Sequence, residues 1–156
     1  MIRSASPADA AAICAIYNHY VLNTAVNFEH QPAAEALMAA HIASHALPWL
    51  VLEEDGQVLA YAYAGACPAY HGAADTTIYV APGNTGRGLG RQIYAELIAI
   101  LRRRGLHSLI AGIALPNPAS AALHESLGFK KVGHFEEVGW KQGRWIDVGY
   151  WQLKLS

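Results

Sequence analysis

Residues 79–91 read Tyr79-Val80-Ala81-Pro82-Gly83-Asn84-Thr85-Gly86-Arg87-Gly88-Leu89-Gly90-Arg91. This segment decides the fold class, because it passes from an apolar strand through a glycine-rich turn into the start of a helix. At a helix N-terminus the free backbone N–H groups and the helix dipole attract anions, and glycines let a phosphate approach the backbone. The segment therefore predicts a phosphate-binding turn, to which Arg87 and Arg91 add charge. The same glycines are also compatible with a structural bend that needs positive φ.

Two common nucleotide-binding motifs do not fit this turn. Gly86, Gly88 and Gly90 alternate with single residues, whereas the dinucleotide fingerprint has two residues before its third glycine. A nucleoside-triphosphate loop requires a Lys followed by Ser or Thr, and no such pair follows here. The anion bound by the turn is therefore expected to belong to another kind of ligand.

Helical and extended patterns alternate on both sides of the turn. A strand at 2–4 precedes a helix with Ser6 as N-cap and Pro7 at its first position, and a second helix is expected over about 33–46. Strands at 49–54 and 58–66 join at Asp55-Gly56, a hairpin signal, and a third strand covers 76–80. After the helix that Gly105 ends come a strand at 109–115, a helix at 119–127 and two strands around residues 142–143. This order predicts an α/β fold, a mixed sheet with helices on both faces.

Length and composition restrict the domain count and the class of protein. A chain of 156 residues suits a single domain, 1–156, and 11 Lys and Arg against 12 Asp and Glu argue against a nucleic-acid surface. No apolar run approaches the roughly 18 residues of a membrane span, and Pro7 and Asp9 interrupt what could pass for a secretory signal. We therefore expect a cytoplasmic protein that binds neither nucleic acid nor membranes. Because only 15% of the residues are charged, a buried subunit contact and a homodimer are also expected.

The order of the segments resembles that of the GNAT acetyltransferases. Their pyrophosphate signature, Gln/Arg-x-x-Gly-x-Gly/Ala, falls on residues 85–90, with Thr85 where the family has a longer polar side chain. The run from Asn117 to Ser120, followed by Leu123-His124-Glu125, resembles the family's second cofactor segment, in which Asn117 would contact the pantetheine arm. The resemblance implies acetyl-CoA as co-substrate and no metal. It implies these cofactor-binding residues: Tyr79, Val80, Thr85, Gly86, Arg87, Gly88, Leu89, Gly90, Arg91, Asn117 and Ser120.

Longer matches resemble one branch, the phosphinothricin and methionine sulfoximine acetyltransferases. They include residues 16–20 (IYNHY), 77–80 (TIYV) and the C-terminal run 138–153 (VGWKQGRWIDVGYWQL). This branch implies direct transfer of an acetyl group to the amine of a small molecule. It also implies the GNAT fold, a mostly antiparallel sheet of about six or seven strands that is splayed at the cofactor site.

The chemistry of the transfer requires three kinds of group. An amine attacks a thioester only after losing a proton, the leaving thiolate benefits from a proton donor, and the tetrahedral oxyanion benefits from a fixed N–H. By the resemblance, Asp75 is the expected base, His124 the acid or proton relay, and the Val80 N–H the oxyanion donor. Asp75 is also compatible with a simple strand start at a turn. His124 is equally compatible with a helix-surface residue bonded to a neighbour.

The acceptor is the part of the function that the sequence defines least. Residues 66–74 (ACPAYHGAA) contain no Lys or Arg, whereas the branch has a longer, basic loop here that would hold an amino acid's carboxylate. Phe28 and Tyr70 are expected as pocket walls. His71 is expected to replace the basic residues, unless an arginine from elsewhere in the chain or from a second subunit replaces them, or the acceptor lacks a carboxylate. His41 and His45 lie four apart, but without a third ligand they predict no metal site. An idle acyl-CoA-binding module and a protein or peptide N-acetyltransferase stay open as alternatives.

Overall fold

The computed structural model describes residues 1–155, and every helix among them is too short or too polar to cross a lipid bilayer. The elements follow the predicted order. The strands are β1 (Ile2–Ser4), β2 (Trp49–Glu54), β3 (Gln57–Ala66), β4 (Ala73–Val80), β5 (Ser108–Ala114), β6 (Lys130–Lys141) and β7 (Arg144–Lys154). The helices are α1 (Ala10–Asn23), α2 (Glu35–Ser44), α3 (Leu89–Arg103) and α4 (Pro118–Ser126). The predicted α/β fold is confirmed.

All seven strands form one sheet in the order β1-β2-β3-β4-β5-β7-β6. Every neighbouring pair is antiparallel except β4 and β5, which α3 connects. A crossover helix is the usual way to join two parallel strands. The predicted mixed, mostly antiparallel sheet is therefore confirmed.

The sheet is splayed between its two parallel strands. β4 and β5 pair only at Ala73–Ser108, Ala74–Leu109 and Asp75–Ile110. Beyond Asp75, β4 stays paired with β3 as far as Val80, and β5 stays paired with β7 as far as Ala114. The strands therefore diverge from Asp75 onwards and leave a wedge-shaped opening in the sheet.

Alternating side chains divide the core into two layers. On β2, Leu50 and Leu52 pack with α3, whereas Trp49 and Val51 pack with α1 and α2. This alternation is what a strand with both faces buried requires, because successive side chains point to opposite faces. Each face of the sheet is thus covered by its own helix layer.

Most element boundaries lie within one or two residues of the predicted ones, and the two larger differences are at the starts of α1 and β4. Ser6 and Pro7 open a 3-10 turn, Pro7–Asp9, before α1, and the Asp9 carboxylate accepts hydrogen bonds from the Ser6 N–H (2.8 Å) and from Arg3. β4 begins at Ala73 rather than at residue 76, because its first three residues pair with β5. Periodicity could not show this start, since Ala73 and Ala74 carry little apolar signal.

Candidate active site

The wedge between β4 and β5 holds a cavity of about 420 Å³. Its lining includes side chains or backbone from β4, from β5 and from the first turns of α4. Six of the residues predicted from sequence meet here: Tyr79, Val80, Thr85, Asn117, Ser120 and His124. The predicted cofactor segments, separated by about 35 residues in the chain, are thus brought to one opening.

The backbone of β4 presents hydrogen-bonding groups to this cavity. The Ala81 N–H donates to the Leu59 carbonyl of β3 (2.8 Å), and the backbone groups of alternate strand residues point to the same side. The N–H groups of Thr76, Ile78 and Val80 therefore face the opposite side, where the parallel pairing of Asp75 with Ile110 uses that of Thr76 and leaves Ile78 and Val80 directed at the wedge. The Val80 N–H was predicted and that of Ile78 was not, because the direction of a backbone group depends on strand pairing.

Tyr20 closes one side of the opening. Its hydroxyl donates a hydrogen bond of 2.5 Å to the Val80 carbonyl, and its ring lies against Tyr79 at 5.1 Å. The Tyr79 side chain lies with Tyr17 and Tyr61 in the α1 layer of the core, so only its backbone belongs to the wedge edge. Tyr20 is a residue of the site for which the sequence predicted no role.

The glycine-rich turn adopts the backbone that its glycines permit. Gly83, Gly86 and Gly88 have φ of 81°, 79° and 79°, a region that other residues enter at a cost of about 1–2 kcal/mol. Gly88 is the N-cap of α3, and the space beside Gly86 and Gly88 is open. The N–H groups of the first turn of α3 have no partner within the helix and can bind an anion there.

The other predicted residues of the turn have different roles. Leu89 is buried in the core beneath α3. Arg87 donates to Asn84 Oδ1 (2.9 Å) and to the Glu54 carboxylate (2.8 Å). Arg91 donates to Ser126 Oγ at 2.6 Å and so ties α3 to α4. Both side chains are exposed: Arg87 is ion-paired with Glu54, whereas Arg91, bonded to the neutral Ser126, keeps its charge beside the turn.

Asn117 begins the second cofactor segment as the N-cap of α4, where its Oδ1 accepts the Ser120 N–H at 3.1 Å. One turn later, His124 Nδ1 lies 2.8 Å from the Ser120 carbonyl. A carbonyl can only accept, so Nδ1 carries the proton and Nε2 keeps its lone pair. Asn117 and His124 are therefore fixed by the same short helix.

His124 is almost fully buried, at 3% exposure, between Tyr94 and Phe129. Burial lowers the pKa of His124, and its bond to the Ser120 carbonyl opposes that shift only in part. The imidazole is consequently neutral at pH 7. A neutral imidazole suits a proton relay better than an acid that holds its proton in advance.

Asp75 lies at the point where β4 and β5 separate. Its side chain is exposed on the α1 face of the sheet, beside Gly65 and Tyr63, whereas His124 is on the α3 face. Partial removal of water by the neighbouring strands raises the pKa of Asp75, and a hydrogen bond from the Gly65 backbone opposes this. A raised pKa makes the carboxylate a stronger base. The two predicted catalytic side chains thus lie on opposite faces of the sheet, and the structure brings His124, but not Asp75, into the lining of the wedge cavity.

Two further cavities join the wedge on the α1 face, and we call them together the α1-side cleft. One, of about 680 Å³, shares Val26, Gly112 and Ala114 with the wedge cavity. The other, of about 770 Å³, shares Tyr17 and Glu29 with the first. The cleft therefore provides a route for a second molecule to the edge of β4.

The predicted acceptor residues divide between the cleft and the surface. Phe28 lines the cleft, packed over Gly139 of β6, where an added methyl would meet its ring. Tyr70 and His71 lie exposed in the turn between β3 and β4, with Tyr70 at 66% exposure, and neither lines the cleft. His41 and His45 line its outer part, and no group of three metal-binding side chains occurs within residues 1–155.

Lys141 holds the wall of the cleft in place. Its ammonium, 5% exposed, donates to the carbonyls of Asn27 (3.2 Å) and Glu29 (2.5 Å) and to Asn27 Oδ1 (3.3 Å). Asn27 in turn donates to the Tyr79 hydroxyl at 3.4 Å. Burial lowers the pKa of Lys141, and the Glu29 carboxylate opposes this. Sequence reasoning did not identify this contact, because the partners are 112 and 114 residues apart.

Comparison with known proteins identifies the family of this chain. The acetyltransferase (GNAT) domain family matches residues 2–149. A phosphinothricin N-acetyltransferase of Streptomyces viridochromogenes is 40% identical over 97% of this chain and 85% of its own length. An L-methionine sulfoximine/L-methionine sulfone acetyltransferase of Salmonella typhimurium is 41% identical over 99% of this chain and 94% of its own length.

A solved structure shows the same fold. The crystal structure of a GNAT superfamily phosphinothricin acetyltransferase from Sinorhizobium meliloti, in complex with acetyl-CoA, is 36% identical. It superposes with a TM-score of 0.95 over 100% of this chain and 88% of that one. The chain therefore belongs to the GNAT acetyltransferase family.

Proposed function

We propose that this protein is an acetyl-CoA-dependent N-acetyltransferase that acetylates the amine of a small molecule. The observation that carries the proposal is the unpaired edge of β4, which ends at a glycine-rich helix N-terminus. A diphosphate fits the N–H groups at the start of α3, by charge and by the open space beside Gly86 and Gly88. The pantetheine arm, which contains amide groups, fits a strand edge with free N–H groups. Asn117 and Ser120 border the same opening.

The chemistry proposed for the site is direct transfer. The amine loses a proton to Asp75 through a bridging water and attacks the thioester carbonyl, so that a C–N bond forms and the C–S bond breaks. We assign stabilisation of the oxyanion to the backbone N–H of Val80 on β4. The attacking nitrogen gives up its second proton to Nε2 of His124, which passes it to the thiolate as the thiolate leaves with the electron pair of the C–S bond. Asp75 releases the first proton to water.

Relatives named for phosphinothricin and methionine sulfoximine suggest an amino-acid-like acceptor for this chain. The turn between β3 and β4 nevertheless offers only Tyr70 and His71, both exposed, where a basic loop would hold a carboxylate. We therefore expect weak or no acetylation of these two amino acids. Efficient turnover of either would show that the short turn is immaterial.

We also propose a cytoplasmic homodimer. Large apolar side chains outside the cleft lie exposed on the β6–β7 hairpin at the sheet edge, a pattern that favours burial against another subunit: Val132, Phe135 and Trp145. Both cysteines are unpaired, which suits a reducing compartment.

A thiol-release assay tests the proposed function. The protein is incubated with acetyl-CoA and a panel of primary amines, amino acids and short peptides, and free coenzyme A is measured. Release that depends on a small amine supports the proposal. Release with peptides only would favour a protein or peptide acetyltransferase, and binding of acetyl-CoA without release in any mixture would favour the idle module.

A further inference from the structure

The α1-side cleft is lined by a carboxylate and by no Lys or Arg among the described residues. Among residues 1–155, those that line its two cavities include no Lys or Arg, and Glu29 is the charged side chain that both cavities share. Burial raises the pKa of the Tyr17 hydroxyl to about 12, and Tyr79 and then Glu29 add to this rise. The charge of Glu29 thus acts on a side chain that lines the cleft. The remaining basic side chains of the lining are His41 and His45 in the outer cavity, and burial lowers the pKa of His45.

The nearest ammonium group is not available to a ligand. Lys141 has three N–H donors, and the structure directs them to Asn27 O, Asn27 Oδ1 and Glu29 O. Its side chain is buried beneath the segment that forms the wall. Lys141 therefore adds positive potential to the wall of the cleft, but it has no N–H donor left to hold a ligand's carboxylate.

The far end of the cleft is acidic rather than basic. Gly65 belongs to the lining, and the carboxylate of Asp75 lies directly against Gly65. The adjoining turn, residues 67–72, reads CPAYHG and contains no Lys or Arg. A carboxylate entering the cleft would meet Glu29 or Asp75, and the residues of this chain that line the cleft offer it no Lys or Arg donor.

The walls of the cleft suit an apolar or flat group. Phe28, Trp140 and Tyr150 line the part that adjoins the wedge. Trp49 and Tyr63 stack at 4.0 Å in the outer part. Aromatic faces attract cations as well as apolar groups, so they also favour an ammonium.

We propose that the acceptor is a primary amine without a carboxylate, carrying an apolar or aromatic substituent. This proposal rests on the proposed function, and it specifies the acceptor class of that same site. The ammonium is drawn to Glu29 and Asp75 before it loses its proton, and the substituent packs against Phe28 and the aromatic walls. An amino acid is disfavoured because its carboxylate would be desolvated beside negative charge.

Matched acceptor pairs test the proposal. We would measure kcat/KM for 2-phenylethylamine against L-phenylalanine, and for 3-(methylthio)propylamine against L-methionine, each pair differing by the carboxylate. Decarboxylation does not make the ammonium more acidic, so a preference cannot come from more free base. The expected result is at least about a tenfold preference for the decarboxylated member, the size that one like-charge contact at partial burial produces.

The Glu29→Gln variant tests the stated cause, with Glu96→Gln as its control. Glu96 is an exposed carboxylate on α3 that pairs with Arg103, away from the cleft. The preference should fall by several fold in Glu29→Gln and stay unchanged in Glu96→Gln. Equal or better turnover of the amino acids overturns the inference and leaves the proposed function standing. Absence of thiol release with all four acceptors, although acetyl-CoA binds, counts against the proposed function itself.

Discussion

Replacement of Lys141 by Met tests whether one buried ammonium holds the cleft wall. Met matches the length of the lysine stem, so the change leaves no cavity and removes only the charge and its donors. Hydrogen bonds from a charged group contribute about 1.5–3 kcal/mol each, and Lys141 makes three. Several kcal/mol of this loss are offset, because folding of the Met variant no longer requires desolvation of an ammonium group. The net loss is about 2 kcal/mol, since the carbonyls freed on the surface segment can bind water.

Thermal unfolding and steady-state kinetics measure the two consequences. For a chain of this length about 1 kcal/mol corresponds to about 2–4 °C, so Tm should fall by about 4–8 °C. The KM for the amine should rise several fold, because the segment carrying Phe28 and Glu29 loosens, while the KM for acetyl-CoA stays the same. Lys130→Met, an exposed lysine at the start of β6, is the control. An unchanged Tm and amine KM in Lys141→Met would refute this role.

Three further predictions concern the wedge. Asp75→Asn should lower kcat by about 10²-fold to 10⁴-fold and leave the affinity for acetyl-CoA nearly unchanged. Turnover at the original rate would remove Asp75 from the mechanism. Because burial lowers the pKa of His124, the unfolded chain binds a proton more readily than the folded one, so the free energy of unfolding should decrease as pH falls below about 6.5. Chemical denaturation at pH 7.5 and 5.5 should show a smaller decrease in His124→Asn, and an equal decrease in both proteins would contradict the shift. Gly88→Ala should cost about 1–2 kcal/mol from its φ of 79° and weaken acetyl-CoA binding in calorimetry, whereas Gly143→Ala, at a hairpin turn remote from the wedge, should cost similar stability without the loss of binding.

Local patterns were sufficient to predict the order of elements, and the resemblance to the GNAT acetyltransferases predicted the residues that meet at the wedge. The hairpins at residues 55–56 and 142–143 were predicted from turn residues, and the structure gives each of these four a positive φ. The glycine-rich turn was predicted to bind an anion from its residues alone, and this signal is local because it depends on backbone conformation over a few residues. The second cofactor segment, which begins at the α4 N-cap Asn117, was predicted only by the family resemblance.

Contacts between distant segments were not predictable in the same way. Pairing between strands determines which N–H groups of β4 face the wedge, and no pattern within residues 76–80 reveals it. Lys141 looked like an ordinary strand lysine, although it is buried under the segment around Asn27. Arg87 and Arg91 were expected to add charge for the anion, and the structure pairs Arg87 with Glu54, whereas Arg91, bonded to Ser126, keeps its charge. Long-range packing thus decided the details of the site that the motifs left open.

Isothermal titration with acetyl-CoA tests the central claim, that the unpaired edge of β4 and the turn at the start of α3 form the coenzyme site. The account predicts saturable heat with one site per chain, and crystals grown with the ligand should show the diphosphate against the N–H groups of residues 86–91. Absence of heat, or a diphosphate bound away from that turn, would contradict it.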